Sequence, residues 1–343
     1  MTVPQQERIG QNLMIKLATL VILLAGIHAA STILVPFLLS LFIAIVLNPL
    51  VSWLMRHGLR RGISIALVML VVLILFALIG AVLAGSGHEF SEIYPQLQTQ
   101  IAHRMHWLQR LAAPFPLNVS TDALAQRLDP NTLVSMASTL LSQFSGVMSG
   151  FVLLLMTVIF MLLEVHHLPY KLRFALVNPR IRIAGLHRAL KGVTHYLALK
   201  TLVSLCTGVA VWLSLWILGV QFAPLWGLVA FIFNFIPNIG PIIAGIPPLA
   251  QTLLLNTPLT AGLVALLFIA IHMVFGNMLE PRIMGKRLGL SSLVVFLSLI
   301  FWGWLLGPVG MLLSVPLTSV CKILMETTPG GSKLAILLGN GRP

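Results

Sequence analysis

The sequence predicts an all-α polytopic membrane protein with about six full spans, two re-entrant helical hairpins and a small helical insert outside the membrane. Of its 343 residues, 58% are hydrophobic and only 8% are charged, whereas a soluble globular protein carries about 25% charged residues. The mean hydropathy is +1.00. Several apolar runs reach the length of about 18 residues that predicts a membrane-spanning helix. This composition excludes a soluble enzyme, a disordered chain and a nucleic-acid-binding domain.

The basic charge of the chain fits the same class. Twenty-one Lys and Arg against eight Asp and Glu give a formal net charge of +13. The bases cluster in short loops between apolar runs, as the positive-inside rule for membrane proteins requires. Membrane lipid is therefore the expected partner and nucleic acid is not. Cys206 and Cys321 lie far apart in apolar segments, so we expect neither a metal site nor a cofactor.

Six apolar runs are long enough to cross about 30 Å of hydrocarbon at 1.5 Å per residue. They cover 13–30, 33–55, 63–85, 147–165, 197–219 and 259–279. Residues 88–146 differ from these runs, because they contain several acids, bases and prolines, and they predict a water-facing insert of short helices. The predicted domains are an N-terminal transmembrane region 1–87, the insert 88–146, a C-terminal transmembrane region 147–330 and a cytoplasmic tail 331–343.

Two further apolar stretches, 222–256 and 290–325, are each long and interrupted by Pro and Gly. The basic segments Arg56–Arg61, 166–195 and Arg282–Arg287 belong in the cytoplasm. For span 259–279 to end at Arg282 in the cytoplasm, the stretch 222–256 must begin and end on the outer side. We therefore predict a re-entrant hairpin there. The stretch 290–325 likewise begins and ends on one side, the cytoplasmic side, so we predict a second hairpin at 290–325. Both termini are then cytoplasmic.

The two hairpins are the predicted substrate site. Broken backbone at membrane depth is tolerated only where it is buried in protein or lines a cavity, and paired broken helices form the solute sites of secondary transporters. The candidate substrate-binding residues of the two hairpins are Asn234, Pro237, Asn238, Gly240, Pro241, Gly307, Pro308 and Ser314. Asn offers a donor and an acceptor without charge, which favours a neutral, hydroxyl-rich solute. The alternative is a simple turn in which Asn serves as a local cap.

Two acids, Glu164 and Glu280, lie in or against apolar spans. Glu164 ends its span and is interpreted as an acid at the headgroup level. His272, Gly276 and Glu280 recur every four residues and so share one helical face, with Asn277 beside them. We expect Arg282 to be the ion-pair partner of Glu280. A gating role and a purely structural role remain open for this cluster, and Lys200 is counted with the cytoplasmic bases.

Several motifs resemble the hallmarks of the autoinducer-2 exporter family. They are 160–164 (FMLLE), 236–241 (IPNIGP), 279–285 (LEPRIMG), 288–291 (LGLS), 307–311 (GPVGM) and 314–317 (SVPL), and the resemblance covers residues 10–330. It implies a non-enzymatic exporter of the quorum-sensing signal autoinducer-2, a small sugar-like molecule, in the bacterial inner membrane. It also implies downstream effects on biofilm formation and a homo-oligomer, a pentamer by this resemblance.

Two alternatives to the export of a neutral polyol remain. Some relatives are described as sodium/proton antiporters, and in such a protein Glu280 would be the ion ligand. A non-transport role would place sensing or partner binding in the insert 88–146.

Overall fold

The computed structural model describes residues 5–82, 84–85, 150–164, 179–284, 290–326 and 338–339. The predicted insert 88–146 lies outside these residues, and so does the predicted tail except for 338–339. Within the described ranges the chain is helical and contains no strand, with one isolated antiparallel bridge between Leu290 and Gly339.

We number the helices in chain order. They are α1 (Gln5–Ala29), α2 (Ser31–Arg56), α3 (Arg61–Val82), α4 (Gly150–Glu164), α5 (Pro179–Ile217), α6 (Ala223–Phe233), α7 (Gly240–Leu255), α8 (Pro258–Ile271), α9 (Glu280–Met284), α10 (Ser292–Leu312) and α11 (Ser314–Glu326). A π-helical segment, His272–Leu279, joins α8 to α9 without a break.

Five helical stretches are long and apolar enough to cross a membrane. They are Ser31–Arg56, Arg61–Val82, Lys191–Ile217, Pro258–Ile283 and Ser292–Leu312. Shorter apolar helices accompany them, among them Met14–Ala29 and α4. These elements confirm the predicted class: the protein is all-α and passes through the membrane several times.

The chain forms two compact units, each described by itself below. The first unit comprises 1–48, 156–197 and 288–343, and the second comprises 49–155 and 198–287. In the first unit α10 packs against both α11 and α1. In the second unit α7 packs between α6 and α8, and α8 continues into the π-helical segment.

The hairpin of the first unit turns where the sequence predicts. Gly307 has φ 69° and ψ −155° inside α10, a conformation essentially restricted to glycine. Gly303, Gly310 and Pro316 also interrupt the apolar stretch 290–325 in the sequence, but all three lie in helical backbone. The indole of Trp302 donates a hydrogen bond to the hydroxyl of Thr318 over 2.9 Å, which ties α10 to α11.

The hairpin of the second unit breaks at 234–239, between α6 and α7. Its prolines are not breaks as predicted, because Pro224 and Pro241 lie in the first turns of helices, where the missing N–H costs nothing. Pro247 and Pro248 lie inside α7. The 11 residues of α6 rise about 16 Å and the 16 residues of α7 about 24 Å. Both are shorter than about 30 Å of hydrocarbon, as the helices of a re-entrant hairpin are.

Two glycines hold this hairpin close to α5. A Cβ atom at Gly208 would lie 2.8 Å from the carbonyl oxygen of Gly227, and one at Gly227 would lie 2.8 Å from the carbonyl oxygen of Gly208. Small residues allow two helix backbones to approach in this way inside a membrane. Around the crossing, buried apolar side chains of α5 to α8 form the core of the second unit, namely Val211, Leu215, Val220, Ala223, Ala230, Ala244 and Val264.

Candidate functional site

A buried polar stripe follows one face of α5. It consists of Lys200, Ser204 and Thr207, all of which are buried. Their spacings of four and three residues place them one above the other on a single helical face. The stripe lies inside the candidate span Lys191–Ile217, so the second unit carries polar groups at membrane depth, where every such group requires a partner or a function.

Lys200 forms an ion pair with Glu280. The Lys200 Nζ donates to Glu280 Oε1 over 2.6 Å and to Oε2 over 2.8 Å. The lysine side chain is 2% exposed and the glutamate side chain is 22% exposed. This corrects two expectations: Lys200 is not a loop base, and Arg282, which is exposed, is not the partner shown for Glu280. The reason is that α5 begins at Pro179 rather than near residue 197, so Lys200 lies well inside the helix.

The π-helical segment His272–Leu279 delivers Glu280 to this pair. The N–H of Glu280 donates to the carbonyl oxygen of Phe275, five residues earlier. Pro281 follows directly and has no N–H for an α-helical bond to residue 277, so the regular hydrogen-bond ladder is interrupted here in any case. π-Helical turns are uncommon and often mark functional positions. His272, Gly276 and Glu280 were predicted to share a helical face because they recur every four residues. The π-helical turns are wider than α-helical turns, so this spacing no longer places the three on one face.

The hairpin of the second unit, formed by α6 and α7, supplies the second polar contact at its break. The Asn234 side-chain Nδ2 donates to Ser204 Oγ over 2.9 Å, and both residues are buried. Asn234 also continues the helical hydrogen bonding, because its N–H reaches the carbonyl of Ala230 over 3.0 Å. The last turn of α6 therefore holds the amide group against the polar stripe.

A small cavity lies beside these contacts, within the second unit. Its volume is about 20 Å³, enough for roughly one water molecule. The polar side chains that line it are Thr207, Asn234 and His272, and the remaining walls are Val211, Ala230, Pro241, Ala244, Phe268, Ile271, Phe275 and Gly276. Glycine at 276 leaves room for the His272 ring in this position, because a Cβ there would lie 2.8 Å from the ring.

The chemistry of the cavity is polar and uncharged. The Thr207 hydroxyl donates to the carbonyl of Val203, so it presents acceptor lone pairs to the cavity. Asn234 retains its Oδ1 and one further N–H besides the bond to Ser204. A neutral molecule that both donates and accepts hydrogen bonds matches this set better than an ion does. Because the volume suits only one water, a larger solute requires the walls to separate.

The predicted substrate residues of this hairpin fall into two groups. Asn234 and Pro241 line the cavity. Pro237 and Asn238 form the turn, where Asn238 is exposed with φ 62°, as the alternative of a local turn expects. Gly240 is buried at the start of α7, and a Cβ there would clash with the carbonyl oxygen of Phe233.

The predicted residues of the other hairpin belong to the first unit. Gly307 and Pro308 form its turn. The hydroxyl of Ser314 is fully buried and has no hydrogen-bond partner within the described part of the chain. In the same unit, His28 Nδ1 lies 3.1 Å from the carbonyl oxygen of Leu305, two residues before the turn. Their roles in substrate binding stay predictions.

The predicted gating residues are dispersed. His272 lines the cavity and Glu280 forms the ion pair, whereas Asn277, Arg282 and Glu164 are exposed. Three residues of the site were missed, namely Lys200, Ser204 and Thr207. A signal for them existed, because a single lysine in an apolar run, followed by hydroxyls four and seven residues later, predicts a polar helix face. Among the described residues no group of His, Cys, Asp and Glu could hold a metal ion.

Many apolar spans, a broken helical hairpin and a buried polar site define a multi-pass membrane transport protein. Residues 17–330 match the family described as AI-2E family transporter, and the chain belongs to that family. It is 56% identical over 343 residues to the transport protein YhhT of Escherichia coli strain K12, and this alignment covers 100% of this chain and 98% of YhhT. It is 47% identical over 331 residues to the AI-2 transport protein TqsA of the same strain, with 96% of each chain covered.

Proposed function

We propose that this protein exports autoinducer-2, or a similar small neutral polyol, through the bacterial inner membrane. Membership of the AI-2E transporter family supports transport, and the name of the relative TqsA supports this solute. Export of such a signal gives the protein a role in quorum sensing and biofilm formation. Its termini lie in the cytoplasm, as the basic loops predict, and it works as a homo-oligomer.

The observation that carries the proposal is the position of Asn234. This buried amide lies at the break of a re-entrant hairpin, contacts Ser204 and lines a cavity with Thr207 and His272. Uncharged donors and acceptors inside an apolar core bind hydroxyl groups, because a hydroxyl can both donate and accept. The cavity of about 20 Å³ is then the closed form of the solute site, and its walls must separate before a solute larger than one water molecule can enter.

The antiporter alternative receives less support from the site. The negative charge that Glu280 would offer a cation is already balanced, because both of its carboxylate oxygens accept hydrogen bonds from the Lys200 ammonium group. A cation at Glu280 would first have to displace the lysine ammonium group. The third alternative, sensing by the insert 88–146, concerns residues outside the described ranges.

Counterflow in proteoliposomes tests the proposal. Purified protein is reconstituted with unlabelled autoinducer-2 inside, and uptake of the labelled compound is followed. We expect uptake above that of protein-free liposomes, and we expect it to persist when sodium and proton gradients are absent. Thr207→Val, which removes the cavity hydroxyl, should lower uptake. The matched control Thr252→Val should not, because Thr252 is not among the residues that line the cavity, although its hydroxyl bonds to backbone carbonyls of its own helix as that of Thr207 does.

Two results would contradict the proposal. One is uptake of autoinducer-2 by liposomes with folded, inserted protein that is no greater than uptake by protein-free liposomes. The other is robust sodium/proton exchange in the parent protein that disappears in Glu280→Gln, which would favour the antiporter.

A further inference from the structure

The walls of the cavity differ in how firmly they are held. Helices α5 and α6 are fixed by the backbone approach of Gly208 and Gly227. Helices α6 and α7 are joined at their far ends, where the Trp226 indole donates to Gln251 Oε1 over 2.6 Å. These contacts leave little freedom for three of the four walls.

The fourth wall is formed by the end of α8 together with the π-helical segment that continues it, and this segment is the weakest part of the wall. None of its residues is buried, and Met273, Val274 and Met278 are about half exposed on its outer side. Wide π-helical turns are rare, and they replace the standard i→i+4 bonds by i→i+5 bonds. A molecule that enters the cavity therefore displaces this segment before it displaces the other walls.

The same segment is directly bonded to the ion pair. Phe275 lines the cavity, and its carbonyl oxygen accepts the N–H of Glu280. The Glu280 carboxylate in turn holds Lys200. If the bonds shift from i→i+5 to i→i+4, the register changes by one residue, which moves a side chain by about 1.5 Å along the axis and about 100° around it. Hydrogen bonds of 2.6 and 2.8 Å do not survive such a movement.

We propose that the π-helical segment His272–Leu279 couples occupancy of the cavity to the Lys200–Glu280 ion pair. A solute larger than one water pushes the segment outward, the segment shifts toward α-helical bonding, and Glu280 releases Lys200. The ion pair is thus a latch that keeps the unloaded transporter closed. This inference rests on the proposed solute site, but it can be tested without any solute.

The test uses substitutions that fill the cavity from two different helices. Ala244→Leu fills it from α7 and Ala230→Leu from α6, and the matched control Ala270→Leu places the same side chain at an exposed position of α8. The readout is the rate at which a membrane-permeant acylating reagent modifies Lys200, measured by mass spectrometry on the full chain in nanodiscs. Both fillers should raise this rate about tenfold or more, because the modified fraction follows the population of the open state. Ala270→Leu should leave the rate unchanged.

A deletion tests the role of the segment itself. Removal of exposed Met278 takes out the additional residue of the π-helical turn, so the chain can close as α-helix while α8 and Glu280 keep their places. In this variant Lys200 should stay protected, with or without Ala244→Leu. Met278→Ala, which removes the side chain and keeps the chain length, should respond to the filler like the parent.

The outcomes distinguish failure of the proposed coupling between cavity and ion pair from failure of the proposed solute, autoinducer-2. If the fillers expose Lys200 and autoinducer-2 does not, the coupling stands and the assignment of the solute fails. The coupling is overturned if folded Ala244→Leu and Ala230→Leu proteins leave Lys200 protected. It is equally overturned if the Met278 deletion still responds to the filler, or exposes Lys200 by itself.

Discussion

The side-chain amide of Asn234 donates a hydrogen bond to the hydroxyl of Ser204 over 2.9 Å, and both residues are buried. This contact joins the break of the hairpin to the polar stripe of α5. Thirty residues separate the two partners, so the hairpin must fold back against α5 before either polar group is satisfied.

Loss of the Asn234 amide should weaken both stability and transport. Asn234→Ala removes the donor to Ser204 and a polar wall of the cavity, which should cost about 1–3 kcal/mol of unfolding free energy. Counterflow of autoinducer-2 should fall about tenfold, the equivalent of about 1.4 kcal/mol. The matched control is Asn238→Gly, because Asn238 is exposed and its φ of 62° suits glycine. Equal losses in the two variants would argue against a solute site at Asn234.

The buried ion pair should tolerate the loss of both charges better than the loss of one. Lys200→Met leaves the carboxylate of Glu280 without its partner and should lower the unfolding free energy by about 3–5 kcal/mol. The double variant Lys200→Met/Glu280→Gln should recover most of this loss. Glu280→Gln alone should remain folded but be less stable than the double variant, because it leaves the buried Lys200 ammonium group without its partner. Thermal unfolding in detergent measures the series, with Arg282→Gln as an exposed control expected within about 0.5 kcal/mol of the parent. Additive losses in the double variant would mean that the two side chains do not act as a pair.

Substitution of Gly240 and of Gly307 should each destabilise the protein, but for different reasons. At Gly240 a methyl group meets the carbonyl of Phe233, whereas at Gly307 there is open space but a backbone with φ +69°. Gly240→Ala and Gly307→Ala should therefore each destabilise the protein by about 1–3 kcal/mol. Gly262→Ala is the control, since a Cβ there meets nothing within 4 Å, and it should be neutral or stabilising by up to about 1 kcal/mol. Full stability of Gly307→Ala would show that the turn does not need glycine.

Sidedness is tested by cysteine labelling with an impermeant thiol reagent. Thr257 lies exposed between α7 and α8, where its hydroxyl accepts the N–H of Thr260. Thr257→Cys should react only from the periplasmic side, and His57→Cys, in the turn between α2 and α3, only from the cytoplasmic side. Thr257→Ser keeps the cap, so equal thermal stability of Thr257→Cys and Thr257→Ser would show that loss of the cap does not disturb folding. Reaction of both positions from the same side would contradict the prediction that 222–256 is a re-entrant hairpin.

Sequence patterns were sufficient for the all-α membrane class, for four of the long spans and for the turn at Gly307, because these depend on local chemistry. Apolar length defines a membrane helix, and Gly307 marks a turn that other residues cannot adopt. The prolines misled the prediction of the other hairpin. Proline disrupts a helix interior but is accepted in a first turn, and the local sequence did not distinguish these positions for Pro224 and Pro241.

The partner of Glu280 could not be predicted from proximity along the chain. Arg282 is two residues away, and residues at this spacing point to different sides of a helix. Lys200 is 80 residues away and reaches Glu280 because α5 runs past the π-helical segment.

The sequence by itself determined that this chain is an all-α membrane protein with two hairpins, because burial in lipid imposes length and hydrophobicity on every span. It also identified Asn234, His272 and Glu280 as unusual, because polar groups are expensive at membrane depth. Only the tertiary structure decided what these groups contact. The close crossing at Gly208 and Gly227 brings α5 to the hairpin, and the π-helical segment turns Glu280 toward Lys200. Both depend on side chains distant in sequence that meet only after the helices have packed.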